Sequence, residues 1–343
     1  MTSMLFRNAL NTDLSAIHQL AERSGIGMTT LPKDMELLKK RLMWSTNSFS
    51  KAITHPGHEY YLFVLEDTKT RTVVGTSAIE AAAGYETPFY SYKLSKRTRM
   101  CYSQNIRSHY DVLSLVNDNQ GHSELCTLFL DPNYRVNSNG VLLSKARFLF
   151  IAHNPTRFAP VVIAEMRGVS DDEGHAPFWE QVGKHFFHMS FAKADSLTLS
   201  TNKQFIADLM PRNPIYVKLL SPEAQAVIGK PHPSTLPAMN ILLREGFHYN
   251  HYVDIFDAGP TIEAQRDSIK TIAKSRVMTL KTISDEVNGK RFLLSNTLPN
   301  VRATIGHLLF NEKQGTCILS RETAELLQAS IGDSLRVAPL HLS

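Results

Sequence analysis

The sequence predicts an α+β fold: a mixed, mainly antiparallel sheet flanked by helices, with a small β-rich subdomain at the C-terminal end. Three observations carry that expectation. Helix-like and strand-like segments are interspersed through residues 1–276. Two apolar runs, residues 60–66 and 72–79, flank a short polar turn in the manner of a β-hairpin. Beyond Val277 the chain changes to short strand-like pieces with Gly289, Gly306 and Gly315 between them.

The elements follow in order. Asn11 or Thr12 can cap a helix running to about Arg23, with Leu14, Ile17, Leu20 and Ala21 on one face. Turn chemistry over 24–27 ends it, and a second helix fits 33–44. After the hairpin comes an irregular, aromatic-rich insertion, 84–121, that adds strands or a lid. A strand over 125–130, a polar loop to 140, a helix over 141–153 and a strand over 161–166 follow. Two later segments look alike: Phe178-Trp179 to Gly183, then Phe186-Phe187, and Leu242-Leu243 to Gly246, then Phe247 and Tyr249. Each reads as a helix stopped by glycine that turns into an aromatic-led strand, an internal echo within 160–260. A helix over 321–329 precedes a last strand, 334–339.

Composition sets the limits. The chain has 343 residues, 43% hydrophobic and 20% charged, an ordinary globular balance with room for about two domains, 1–276 and 277–343. The net charge is +5 and the pI about 9.0. The densest basic run, 93–99, is short and lacks an aromatic stacking pattern, which argues against nucleic acid and leaves an anionic small ligand. Three cysteines are too few and too scattered for a disulfide framework or zinc cluster, and Cys126 reads as a core residue. The 14 histidines form no HExxH or Cys/His cluster, so no metal is expected. Ser144 lacks the Gly-x-Ser-x-Gly turn of a hydrolase. No apolar signal core or membrane-length run is visible, and a cytoplasmic protein without membrane contact is the expectation.

The richest stretch for chemistry is 123–144, a strand, a polar loop and a helix start. Helix N-termini present unpaired N–H groups to phosphates. Arg135 adds a cation, and Asn139 and Gly140 allow close backbone approach. The strand around Leu128 and Leu130 could hold an extended ligand arm through its backbone. A plain strand–turn–helix connection fits the same residues.

This arrangement resembles the GCN5-related N-acetyltransferase (GNAT) superfamily, whose Arg/Gln-x-x-Gly-x-Gly/Ala loop cradles the CoA pyrophosphate. Here the loop is Arg135-Val-Asn-Ser138-Asn-Gly140, with Ser138 in place of the first glycine. The chain is more closely similar to the arginine N-succinyltransferase family. The resemblance runs in order over about residues 4–280, through Gly27-Met-Thr-Thr-Leu-Pro32, Ala164-Glu-Met-Arg-Gly-Val169, Pro214-Ile-Tyr216, His232-Pro233 and Asp254-Ile-Phe-Asp257.

That resemblance implies a GNAT-like fold and transfer of succinyl from succinyl-CoA, a co-substrate rather than a permanently bound cofactor, to the α-amine of L-arginine. It implies that His232 is the proton donor and that Leu128 contacts succinyl-CoA. Without it, His232 reads more readily as a loop residue that caps or packs, and Leu128 as core. A guanidinium needs a carboxylate, for which Glu124, Glu165 and Asp254 are candidates, and a succinyl carboxylate needs a cation, for which Arg167 is one. Each could instead be a structural ion pair. Tyr216 is an alternative acid. Residues 24–30, with Gly25 and Gly27, could close over the substrate. A homo-oligomer or a pairing with a homologous subunit is expected from the family. Another amine acceptor, ornithine included, or a non-catalytic partner subunit are the competing readings.

Overall fold

The computed structural model describes residues 4–341 other than 26, 172 and 201–203. The strands are β1 (Met4–Asn8), β2 (Tyr60–Asp67), β3 (Thr72–Glu80), β4 (Ser91–Cys101), β5 (Ile106–Val116), β6 (Ser123–Leu130), β7 (Val161–Glu165), β8 (Ile215–Tyr216), β9 (His248–Val253), β10 (Pro260–Gln265), β11 (Arg276–Ser284), β12 (Lys290–Asn296), β13 (Arg302–Asn311), β14 (Thr316–Ser320) and β15 (Ser334–Pro339). They join in the order β12-β15-β11-β14-β13-β1-β2-β3-β6-β7-β10-β9-β4-β5-β8. Every pairing is antiparallel except β6–β7 and β11–β14.

Helices cover both faces. α1 (Leu14–Arg23) and α2 (Met35–Ser50) pack Ile17, Leu20, Leu38 and Leu42 on Leu62, Val64 and Phe129. α3 (Asn139–His153) crosses the other face and packs Leu142, Leu143, Ala146 and Leu149 on Phe63, Leu125, Val162 and Ile262. It is buried on nearly all sides from Leu142 to Ile151, so its sequence is apolar all round rather than striped. A third cluster gathers Trp179, Phe187 and Phe256 beside Tyr92 and Leu113.

Several expectations change. β1 was not read as a strand. It is a five-residue insert between β2 and β13, so both its faces are covered and no alternation survives. The first turn after Leu10 is 3-10, and Asp13 rather than Asn11 or Thr12 accepts the Leu10 N–H, at 2.7 Å. α2 starts later than expected and runs six residues past Trp44. Asp34 caps it through the Leu37 N–H. Its far end is fixed by Ser45 and Ser48, whose hydroxyls accept the Leu62 and Tyr60 N–H groups at 2.8 and 3.0 Å. The insertion is a long hairpin, β4–β5.

The expected echo fails at its first copy. Phe186 and Phe187 lie in a helix, α5 (Gly183–Phe187), directly after α4 (Pro177–Gln181). Gly183 is there for space: a Cβ would sit 2.1 Å from the Trp179 ring. The second copy behaves as read, with Gly246 left-handed at φ 105° after the helix Leu236–Glu245, followed by β9.

The C-terminal strands close on themselves. β12 pairs both β15 and β13, completing a ring of five strands around Met278, Leu280, Leu294, Leu319, Leu335 and Val337. Closure leaves fewer exposed edges, and β13 uses its remaining edge to pair β1.

Candidate active site

The site begins where two parallel strands part. β6 and β7 pair only at Ser123–Val162 and Glu124–Ile163. Beyond that, β6 continues to Leu130 paired only with β3, and its β7 side opens as a wedge. A β-bulge sits on this stretch: Thr127 has φ 57°, and the register with β3 slips between Thr76 and Ala78. An extra residue in one strand unpairs backbone groups and re-aims side chains. Here it turns Leu128 to the half-buried edge of the core.

The bulge is pinned from both faces. On one, Thr127 Oγ1 bonds Tyr60 Oη at 2.8 Å and donates to the Thr30 carbonyl, and its N–H donates to Thr30 Oγ1, both at 3.1 Å. On the other, Arg147 of α3, 1% exposed, donates Nη1 to the Ala78 carbonyl at 3.3 Å and Nε to Ser144 O at 3.0 Å. Burial lowers its pKa to about 10, so it stays charged at neutral pH.

At the end of β6 a loop turns into α3. Asp131 ties it down, accepting from Arg23 Nη1 at 2.7 Å and from the Asn133 N–H at 2.9 Å. Leu130 is a core residue whose carbonyl accepts Arg135 Nε at 3.1 Å, which holds the exposed Arg135 across the loop. Asn139 is buried and donates to Tyr134 O at 3.0 Å, so its side chain shapes the loop. Gly140 is different: a Cβ there would meet only Leu130 Cδ2, at 3.9 Å. Nothing in the fold requires glycine at this helical position, where it costs about 1 kcal/mol relative to alanine.

Ser138 adopts the left-handed conformation, φ 71° and ψ 15°, that a glycine takes without strain, and its side chain makes no capping bond. Ser138→Gly is therefore expected to stabilise the protein by about 1 kcal/mol, read as a higher denaturation midpoint.

The opposite wall forms at the end of β7. Glu124 and Glu165 fall on the face away from α3, Glu124 opposite Ile163 and Glu165 two residues further on. The chain then reaches Gly168, whose N–H donates to Asp257 Oδ2 at 2.7 Å, and any Cβ there would lie 2.5 Å from the Asp257 carbonyl. Arg167 Nη2 donates to Ser170 Oγ at 2.8 Å, and its side chain lies against Gly27, the α1–α2 turn. Burial, then the charge of Asp254, push the Asp195 carboxyl up to about 7, while Arg167 opposes the shift. Asp257 rises well above the carboxylate range for the same two reasons.

His232 joins this wall through its backbone: its N–H donates to the Arg167 carbonyl at 2.8 Å, and Pro231 bridges to Gly168. Its Nδ1 accepts the Ser234 N–H at 3.2 Å and lies 2.7 Å from Ser234 Oγ. With Nδ1 accepting, the neutral ring carries its proton on Nε2.

Leu128, Leu130, Arg135, Asn139 and Gly140 thus lie on β6 and the loop into α3, and Arg167 and His232 at the end of the neighbouring β7. Tyr216 is elsewhere, 42% exposed on the last strand of the sheet with its ring 5.3 Å from Tyr110. Asp254 Oδ1 accepts the Phe256 and Asp257 N–H groups, a turn-forming role. Sequence reasoning did not find Thr127, Arg147, Asp195 or Ser234. Only Ser234 had a local signal, since a serine two residues after a histidine in a proline-bounded turn invites a side-chain bond. Among the described residues, one group has metal-ligand spacing, Asp171, Glu173 and His175, all exposed. No helix among them is long and apolar enough to cross a membrane.

The fold is α+β, a mixed sheet flanked by helices whose parallel strands part beside a helix start. Residues 4–271 match the family model described as arginine N-succinyltransferase beta subunit, and 276–339 that of its C-terminal domain. The chain belongs to the arginine N-succinyltransferase family. It is 43% identical over 345 residues to an arginine N-succinyltransferase of Yersinia pestis, and 44% over 338 residues to arginine N-succinyltransferase subunit beta of Pseudomonas aeruginosa, covering 98% of both chains each time. It superposes on the solved arginine/ornithine succinyltransferase subunit AI of Pseudomonas aeruginosa with TM-score 0.90 at 36% identity, over 99% of each chain. The C-terminal segment, outside the resemblance read from sequence, belongs to the family too.

Proposed function

We propose that the protein transfers succinyl from succinyl-CoA to the α-amine of L-arginine, with both substrates meeting in the β6–β7 wedge. The observation that carries this reading is the strand pair that parts after Glu124, with the loop into α3 on one side and His232 bonded to Arg167 on the other. The α3 N-terminus and Arg135 suit the CoA pyrophosphate. The β6 edge around Leu128 suits the pantetheine arm. The neutral amine attacks the thioester carbonyl, the C–N bond forms, and the ammonium proton leaves to water. Collapse then breaks the C–S bond, and His232 Nε2–H supplies the proton that the leaving thiolate needs, while Nδ1 takes up the proton released to water, so that the ring stays neutral. Arg167 suits the succinyl carboxylate, and Glu124 and Glu165 the guanidinium. No permanently bound cofactor is needed for these steps.

The test is thiol release from succinyl-CoA with arginine, ornithine and lysine in parallel, repeated with acetyl-CoA. The reading expects arginine with succinyl-CoA to be fastest, and silence with every acceptor would sink it. Gly140→Ala checks the phosphate loop separately. Its melting temperature should hold or rise, because the new methyl meets only Leu130 and favours the helix. Its CoA affinity, measured by calorimetry, should fall about tenfold or more, since 1.4 kcal/mol of lost backbone contact is a factor of ten. Unchanged affinity would remove the loop from the site.

A further inference from the structure

Thr261 of β10 is 2% exposed, and its hydroxyl makes no hydrogen bond among the described residues. A buried polar group without a partner destabilises the fold, so each one needs a physical explanation. Valine has the same shape and an equal preference for strands, so packing alone does not ask for threonine here.

Register fixes the face on which Thr261 lies. Ile262 and Ala164, paired across β10 and β7, belong to the core under α3. Their neighbours Thr261 and Glu165, also a pair, share the opposite face. On the β9 side Thr261 faces Tyr252, whose ring carries Lys93 Nζ 3.6 Å from its centre and whose hydroxyl donates to Asp118 at 2.9 Å. On the β7 side it faces Glu165, two residues past Ile163, the last β7 residue that β6 pairs. Glu165 is thus its neighbour toward the wedge. Glu263, one row back on the same face, is engaged elsewhere: its Oε1 accepts Asn250 Nδ2 at 2.9 Å.

We propose that Thr261 determines acceptor specificity: its hydroxyl accepts one guanidinium N–H while Glu165 takes others, so that the pair selects a guanidinium over an ammonium. The proposal rests on the acyl-transfer reading and deepens it. Cross-strand neighbours hold their Cβ atoms roughly 5 Å apart. A guanidinium is a rigid planar fork with several N–H donors, and it can span two acceptors at that spacing. The ammonium of ornithine is a point cation, which pairs with the carboxylate and gains little from the hydroxyl.

Calorimetric titration of L-arginine and L-ornithine into the protein, with free CoA present so that no acyl group can be transferred, tests this. Thr261→Val keeps the shape and removes only the hydroxyl, so its melting temperature should hold or rise. Its arginine affinity should fall about tenfold, as expected for a hydrogen bond to a charged group. Its ornithine affinity should fall by no more than about twofold. Thr261→Ser, which keeps a hydroxyl, should bind arginine within about threefold of wild type. In thiol release the loss should lie in the arginine KM more than in kcat. A valine variant that binds arginine as tightly as wild type would overturn the proposal. So would a serine variant as weak as the valine one, equal losses for arginine and ornithine, or a wild type that binds no arginine. A wild type that binds arginine but releases no thiol would sink the transfer reading alone, and the affinity comparison would still decide the role of Thr261.

Discussion

Replacing His232 by alanine is expected to slow turnover at least about 10²-fold at saturating succinyl-CoA and arginine. The argument is geometric. The Arg167 carbonyl holds the His232 backbone at the end of β7, and the Ser234 N–H on Nδ1 directs the proton to Nε2. The Nε2 donor is therefore already oriented before any substrate arrives. The loss should lie in kcat more than in KM, because a proton given to the thiolate acts only as the C–S bond breaks. Stability should change by no more than about 1 kcal/mol, the usual worth of a side-chain cap. Ser234→Ala keeps the imidazole but removes its hydroxyl partner, and should slow turnover far less than loss of the ring. Single-turnover thiol release separates these effects. A His232→Ala protein within a few-fold of wild type would exclude His232 as the proton donor.

The second large effect concerns stability. Lys145 of α3 and Glu245, at the end of the Leu236–Glu245 helix, form an ion pair at 2.9 Å with side chains only 5% and 2% exposed. Lys145 Nζ also donates to the Leu340 carbonyl at 3.1 Å, and Glu245 accepts the Thr271 N–H at 2.7 Å. One pair thus ties the central helix to two neighbouring segments and to the end of the barrel strands. Lys145→Met would leave a buried carboxylate without its cation, and the expected cost is about 3–5 kcal/mol in urea unfolding. Replacing both partners by apolar residues should recover much of that loss, since the desolvation of both charges disappears together. A single variant as stable as wild type would show that the pair contributes little.

Much of this protein was legible in its sequence because the signals were local. The β2–β3 hairpin follows from two apolar runs and a polar turn, and the C-cap at Gly246 from a glycine after an apolar stripe. The strand–loop–helix of residues 123–153 is legible for the same reason: its apolar run, its polar loop and its helix start are contiguous. The failures were of the opposite kind. β1 looked like nothing because burial on both faces erases alternation. Gly183 looked like a helix stop because the Trp179 ring it accommodates is a packing fact, not a turn.

The sequence by itself determined the α+β class, the strand, loop and helix of residues 123–153 and, by resemblance, the family. Only the tertiary structure decided that β6 and β7 part after Glu124, that Thr127 and Arg147 hold the bulge from opposite faces, and that His232 hangs from Arg167, 65 residues away in the chain. The division has a physical cause. Turns, caps and periodicity are set by neighbours within a few residues, whereas a site is set by backbone groups that distant segments leave unpaired and then share.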